Sequence, residues 1–427
     1  MAPVQNPQVI FNEIPSGYPD PNRTTILSTN TSSPTSPNPI DLDSTPLNGS
    51  ILVKVLYLSA DPYMRGKMRP KEVESYSPAY DLGKPIYGYG VGKVVRSEHK
   101  DFAKGEYVTS LIMDHAHYWI PPTSALAPPS VRKFTPESGL PLSVYVGSAG
   151  MPGRTAYVAW NTYIGSPESS STSPSRAAHE IFHRKPNQVA FVSAGAGPVG
   201  SFVIQLAKRA GMKVIASAGS EDKLKLCKEM GADVVFNYKK EDTNEVLKKE
   251  GPIDVYWDNV GGPTLDAAIG NAALHARVIV CGFISEYNGA QGQEYKVCSS
   301  PSFVLMSLLL FSSPTHFSPS LSPTPQNLIS ILTQRIQIYG FLVFDHENPA
   351  PDAPSRQLPP SVIDRSTALS DEFDTVVPKW LAKGEMKFKE DVDGLEKGGL
   401  KRVGEALLEV QKGGNLGKKV VQVAKDD

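Results

Sequence analysis

At 427 residues, 40% of them hydrophobic, the chain is too long for one ordinary core and predicts two domains of a globular protein. Lys and Arg total 43 against 44 for Asp and Glu, which leaves no basic surplus to meet nucleic acid or a membrane surface. Three scattered cysteines without CxxC spacing, no secretory pattern at the N-terminus, and no apolar run longer than 303–311 predict a cytoplasmic protein without a disulfide framework or membrane span.

In chain order, residues 51–58 (ILVKVLYL), 86–96 (IYGYGVGKVVR) and 105–120 (GEYVTSLIMDHAHYWI) read as β-rich pieces between Pro, Gly and Tyr loops. They predict an irregular, mainly β unit over the first 145 residues. From Gln188 the texture changes to alternating elements. Strands are predicted over 189–195, 213–219, 233–236, 253–260 and 276–283, with helices over 199–210, 222–230 and 264–273. This alternation predicts a doubly wound parallel sheet, an α/β fold class. Helices near 371–383 and 399–412 and a final strand KKVVQVA complete the pattern.

Three stretches resist this pattern. Residues 165–176, 299–325 and 348–367 are Ser/Pro-rich or Pro-rich without periodicity and read as disordered surface insertions. The middle one encloses an apolar core, FVLMSLLLF, so it is either a functional loop or edge strand or residual sequence of an unspliced intron. The second reading is preferred.

The strongest chemical signal is Gly195-Ala-Gly197-Pro198-Val199-Gly200, which follows a predicted strand and opens a predicted helix. Glycines permit the tight turn and let the backbone approach a pyrophosphate, while the helix N-terminus offers free N–H groups to it. The end of the second strand selects the cofactor. Where an NAD enzyme places an acid, this chain has Gly219 and Ser220, with Lys223 one turn later to meet a 2′-phosphate. Glu221 or Asp222 could mimic the acid, but both suit the first turn of a helix N-capped by Ser220. The reading is therefore NADP(H).

With these residues in view, the chain resembles the zinc-free leukotriene/prostaglandin reductase and alkenal double-bond reductase branch of the medium-chain dehydrogenase/reductase superfamily. The resemblance is carried by YLSADPYMR (57–65), GYGVG (88–92), GMPGRTAY (150–157), VSAGAGPVG (192–200), AGSEDK (218–223), DNVGG (258–262), CGFISEYN (281–288), GFLVF (340–344) and NLGK (415–418), in family order. It implies a GroES-like substrate domain from residues 1–150 and 345–427, and a Rossmann NADP-binding domain from 151–344. It implies NADPH-driven reduction of the carbon–carbon double bond of an α,β-unsaturated aldehyde or ketone, with hydride reaching the β-carbon and charge building on the carbonyl oxygen. Tyr63 and Tyr287 match the family's substrate-pocket tyrosines and are the expected catalytic donors. Tyr238, Asn259, Cys281 and Asn415 match cofactor-side positions. A homodimer is a further implication, and Arg154, where the family carries an apolar residue or Lys, predicts a local departure of that loop.

A zinc mechanism needs thiolate, imidazole and carboxylate ligands in the substrate domain. The first domain has no cysteine, and His115 with His117 fits strand alternation, so no metal is expected. Two rivals stay open: an NADPH quinone oxidoreductase on the same fold, and an inert NADPH-binding protein.

Overall fold

The β-branched and aromatic runs of the N-terminal third pair into antiparallel strands, as their composition favours. The computed structural model describes residues 2–165, 187–289, 327–343 and 360–427. In it, β1 (Gln8–Phe11) pairs with β2 (Thr25–Ser28). Strand β3 (Ile51–Ser59) is followed by the single turn α1 (Met64–Lys67) and then by β4 (Tyr87–Ser97), β5 (Tyr107–Asp114), β6 (Tyr118–Trp119) and β7 (Val131–Phe134). Helix α2 (Met151–Tyr163) leaves this unit. No helix is expected there from the sequence, because its Gly- and Pro-containing start reads as loop.

Next comes the alternating segment: β8 (Val189–Val192), α3 (Pro198–Arg209), β9 (Lys213–Ala218), α4 (Glu221–Glu229), β10 (Val234–Asn237), α5 (Thr243–Glu250), β11 (Ile253–Asp258), α6 (Gly262–Gly270), β12 (Ala272–Val280), α7 (Ile329–Thr333) and β13 (Gln337–Gly340). The six strands are parallel in the order β10-β9-β8-β11-β12-β13. The order reverses between β8 and β11, and the crevice beyond the carboxyl ends of these strands is where such sheets bind ligands. Then α8 (Pro360–Ala382), β14 (Glu390–Asp393), α9 (Val403–Gln411) and β15 (Lys418–Gln422) complete the chain. Strand β15 pairs antiparallel with β3, so the C-terminus extends the N-terminal sheet in the order β14-β15-β3-β4-β5-β7. The fold class is α/β, a Rossmann sheet with a mainly β unit.

One apolar cluster runs through both parts. It joins Tyr89 and Val91 of β4 to Val192, Trp257 and Ile279 of the parallel sheet, and to Phe373 of α8 and Val420 of β15. The crevice between the sheets therefore has a shared, packed floor.

Several expectations are corrected. Helix α8 begins at Pro360, inside the stretch read as a Pro-rich insertion. Proline is tolerated in a helix's first turn, and packing of α8 against α2 outweighs composition. The rest of that stretch, all of 299–325 and nearly all of 165–176 lie outside the described residues. Leu328, Ile331, Leu332 and Ile336 have the spacing of a helical face, but α7 is one turn long. Leu328 and Leu332 are exposed, while Ile336 is buried. Arg154 lies not in a loop but within α2, buried, donating to the Ser370 carbonyl (2.8 Å) and to Asp374 (2.5 Å) of α8.

Candidate active site

The glycine-rich turn leaves β8 and opens α3 with Gly197 as N-cap and Pro198 in the first turn. No side chain caps this helix and its first turn carries no acid, so its N–H groups face the crevice unsatisfied. The glycines are required by contact. A Cβ at Gly200 would lie 2.5 Å from the Ala194 carbonyl oxygen, and one at Gly195 would lie 2.9 Å from the Ala216 Cβ. A dinucleotide pyrophosphate fits this cradle by its shape and by its charge. Val199 packs against the core behind it.

At the tip of β9 the chain passes Gly219 and Ser220. Ser220 occupies the N-cap position of α4, as expected, but its hydroxyl makes no cap hydrogen bond. Tyr238 and the following Lys239 come over from the end of β10, where a Cβ at Gly219 would sit 3.0 Å from the Tyr238 hydroxyl and 3.1 Å from Lys239 Cε. Tyr238 is half exposed. Lys223 Nζ donates to the Gly413 carbonyl at 2.8 Å, tying this corner to the loop that carries Asn415. Burial, and then the Lys239 charge, hold the Lys223 ammonium below its usual range. Lys239 therefore packs on Gly219 and its charge reaches Lys223, whereas Glu221 is paired with Lys240 at 2.8 Å. Sequence reasoning misses Lys239. Its signal is its place directly after Tyr238 at the tip of the third parallel strand.

The opposite wall is built by the DNVGG turn after β11. Asp258 is fully buried and accepts from the Tyr256 hydroxyl (2.6 Å) and the N–H groups of Val260 and Gly261 (2.9 Å each). Gly261 needs its positive φ of 75°, and a Cβ there would strike the Phe283 ring. Asn259 donates its amide to the Ser193 carbonyl at 2.6 Å and accepts from Trp257 Nε1 at 3.3 Å, which leaves it a wall of the turn. Burial, then Asp258, pushes the Cys281 thiol up to about 12, so it stays a neutral thiol. Asn415 donates its amide within its own loop, to the Gly417 carbonyl at 2.7 Å.

Tyr63 stands at the N-terminus of α1, partly buried against the core of the mainly β unit. Burial, followed by the Asp61 charge, raises its hydroxyl well above the usual tyrosine range, so it is a donor at neutral pH. Tyr287 lies on the turn after β12. Its hydroxyl accepts from the Phe283 N–H at 3.1 Å, bent back on its own turn. The two tyrosines are nonetheless linked. Gln411 of α9 accepts from Asn288 (2.8 Å) and donates to the Pro62 carbonyl (3.0 Å), joining the residue after Tyr287 to the residue before Tyr63. No motif in the sequence marks Gln411 for this bridge. Of the HxH pair, His115 is buried in the core, with no partner on either ring nitrogen among the described residues. Among the described residues, no three His, Cys, Asp or Glu side chains cluster as metal ligands, and no helix is long and apolar enough to cross a membrane.

A parallel sheet with an open glycine-rich cradle at its switch point, facing a β unit built from both chain ends, defines a dinucleotide-dependent oxidoreductase. Similarity to known proteins specifies it. Residues 8–127 match a model described as the N-terminal domain of oxidoreductase, and residues 198–315 match one described as zinc-binding dehydrogenase. The chain is 33% identical over 430 residues to the NADP(+)-dependent 2-alkenal reductase of Nicotiana tabacum, covering 99% of each. It is 33% identical to (+)-pulegone reductase of Mentha piperita, covering 89% of each. The crystal structure of CurA in complex with NADPH from Vibrio vulnificus superposes with a TM-score of 0.68 at 26% identity, over 98% of this chain and 99% of that one. This chain belongs to the medium-chain dehydrogenase/reductase family, in its alkenal reductase branch.

Proposed function

We propose that this protein uses NADPH to reduce the carbon–carbon double bond of α,β-unsaturated aldehydes or ketones. The carrying observation is the tip of β9, where Tyr238 and Lys239 pack on Gly219 and the Lys223 and Lys239 charges act on one another, while Glu221 is paired with Lys240. Gly195, Gly197, Pro198, Val199 and Gly200 would cradle the pyrophosphate. Ser220, Lys223, Tyr238 and Lys239 would meet the 2′-phosphate, and Asn259, Cys281 and Asn415 would line the nicotinamide end. Bound NADPH supplies the hydride for the β-carbon.

The chain's own residues hold the substrate and its charge. Tyr63 offers its O–H to the carbonyl oxygen, where negative charge grows, and a donor aimed at developing charge is worth on the order of 3–4 kcal/mol. The Asn288–Gln411–Pro62 bridge keeps that tyrosine beside the Phe283–Tyr287 turn. Tyr287 serves as a second wall, its oxygen held by the Phe283 N–H while the hydroxyl keeps its own proton to donate. Exposed apolar side chains beside β13, the last strand of the sheet among the described residues, support a homodimer.

The test is NADPH consumption, with product analysis, across 2-alkenals, enones and quinones, with and without an exhaustive chelator. The saturated aldehyde or ketone is the expected product, formed equally under chelation, and Tyr63→Phe should lower kcat by about 10²-fold. Turnover of quinones alone, or cofactor binding without turnover, would replace this reading with one of the two rivals.

A further inference from the structure

Lys67 ends α1, one helical turn beyond Tyr63, and only 4% of it is exposed. Its ammonium lies over two aromatic faces, 4.4 Å from the Tyr87 ring centroid and 5.2 Å from that of Tyr80. Those rings are fixed. They meet edge to face at 5.2 Å, the Tyr80 hydroxyl donates to the Tyr87 carbonyl at 2.6 Å, and the Tyr80 N–H donates to the Lys67 carbonyl at 2.8 Å. No carboxylate pairs with Lys67 among the described residues, and the charge of Arg69 that acts on it is a like charge. A buried ammonium without an anion is costly, and aromatic faces offset only part of that cost. The side chain thus has reason to lose its proton, and burial followed by Arg69 brings it down to about 8. A fall of that size from the ordinary lysine value multiplies the neutral amine fraction at pH 7.4 by on the order of a hundredfold.

Two of the three cysteines compete poorly. Enals add first to thiolates, but burial pushes both Cys227 and Cys281 up to about 12, leaving them protonated. Tyr63 and Lys67 share one electrostatic neighbour, Tyr87, which acts on the Tyr63 hydroxyl and underlies the Lys67 ammonium. Tyr63 and Lys67 thus bracket the same helical turn, with the Tyr87 ring between their electrostatic environments.

We infer that Lys67 is a covalent capture site for 2-alkenals, buried without a carboxylate partner among tyrosine rings beside the substrate pocket. The inference rests on the reading that enals enter this crevice. In the step, the neutral amine attacks the β-carbon, an N–C bond forms and the C=C π bond breaks. The nitrogen then gives a proton, through solvent, to the α-carbon, and the aldehyde survives. No oxidant or reductant is consumed. The adduct fills the pocket, so enal in excess over NADPH inactivates the protein that would otherwise consume it.

The experiment incubates the full chain with 2-hexenal in the absence of NADPH, traps adducts with borohydride and maps them by peptide mass spectrometry over time. Lys67 should acquire one hexenal at least tenfold faster than exposed lysines such as Lys71, and inactivation should track its occupancy. Lys67→Arg, which keeps the cation over the rings, should remove that adduct and slow the inactivation. The wild-type time course stands on its own if this variant fails to fold. Labelling of Lys67 no faster than of exposed lysines, or labelling confined to Cys298, would overturn the inference. Turnover of 2-hexenal with NADPH is scored separately. Turnover without Lys67 labelling sinks only this inference, and labelling without turnover sinks only the reductase reading.

Discussion

Lys418 and Asp61 meet in the interior, Nζ to Oδ1 at 2.5 Å, with side-chain exposures of 2% and 4%. The same ammonium donates to the Ala60 carbonyl at 3.2 Å, and the Ser59 hydroxyl donates to the other carboxylate oxygen. The last strand of the chain is thereby pinned to the residue two positions before Tyr63. Removing one partner leaves an uncompensated buried charge, which costs about 3–5 kcal/mol, whereas replacing both with apolar groups is far milder. Lys418→Met should therefore lower the urea midpoint sharply, and Lys418→Met combined with Asp61→Leu should recover most of the loss. A single variant as stable as wild type would show that the pair carries no buried charge.

Cofactor choice should depend on the two lysines. Lys223→Ala and Lys239→Ala each delete a charge beside Gly219 and Ser220, and a charge-assisted hydrogen bond contributes about 1.5–3 kcal/mol. Each should weaken NADPH about tenfold or more in a fluorescence titration while leaving NADH nearly unchanged. Because Lys223 also holds the Gly413 carbonyl, its variant should disturb the Asn415 loop as well. Equal losses for both cofactors would remove the lysines from the 2′-phosphate site.

The sequence reveals those features of this protein whose signals are local. The glycine cradle and most of the alternation from Val189 to Val280 are written in neighbouring residues and appear within a few positions of where periodicity puts them, but α5 (Thr243–Glu250), a polar helix with one buried residue, is not expected from the sequence. Gln411 and Lys239 are not legible. Their roles depend on partners far away in the chain, Pro62 for one and Gly219 for the other. Tyr287 is legible as a position but not as a conformation, since the fold of its turn decides where the hydroxyl points. Helix α8 is hidden by its proline-rich start, which tertiary contact with α2 overrides.

The edge of the parallel sheet predicts self-association. Ile338 on β13 and Leu332 just before it are 43% and 74% exposed, and Leu274 at the neighbouring strand is 50% exposed. Among the described residues β13 ends the sheet, and a strand edge with apolar flanks is a template for a second copy. Ile338→Glu should shift the protein from dimer to monomer in sedimentation, with NADPH binding retained. A wild-type protein that sediments as a monomer would exclude this interface.

The fold should tolerate removal of 299–325. Asn327, just beyond that tract, is anchored independently, its N–H donating to Asp266 Oδ1 and its amide to the Asp266 carbonyl, each at 3.0 Å. The Ser/Pro-rich tract around FVLMSLLLF is an aggregation hazard by composition. The deletion variant should be at least as soluble, bind NADPH and retain enone turnover. A variant that binds NADPH but has lost turnover would place the tract in the active site. A dominant transcript carrying the tract would count against an intron origin.

Acid stability should depend on His115. The ring is fully buried, neither nitrogen finds a partner among the described residues, and burial lowers its pKa from the ordinary 6.5 to about 3. The folded state therefore prefers the neutral ring, while the unfolded chain takes up a proton below 6.5. Stability from this residue is complete above that value and is lost as pH falls toward 3, at about 1.4 kcal/mol per unit. Its neighbour Asp114 runs the other way. Burial raises its carboxyl to about 6 despite hydrogen bonds from Thr35 and Ser36, so acidification below 6 relieves a cost. In the wild type the two partly cancel. His115→Leu removes one arm and leaves no donor or acceptor unpaired, because the ring has no bond to lose. Urea unfolding at pH 7 and pH 5 should show the variant gaining about 2 kcal/mol relative to wild type between the two conditions. A difference that does not change with pH would mean that the ring takes up its proton without unfolding.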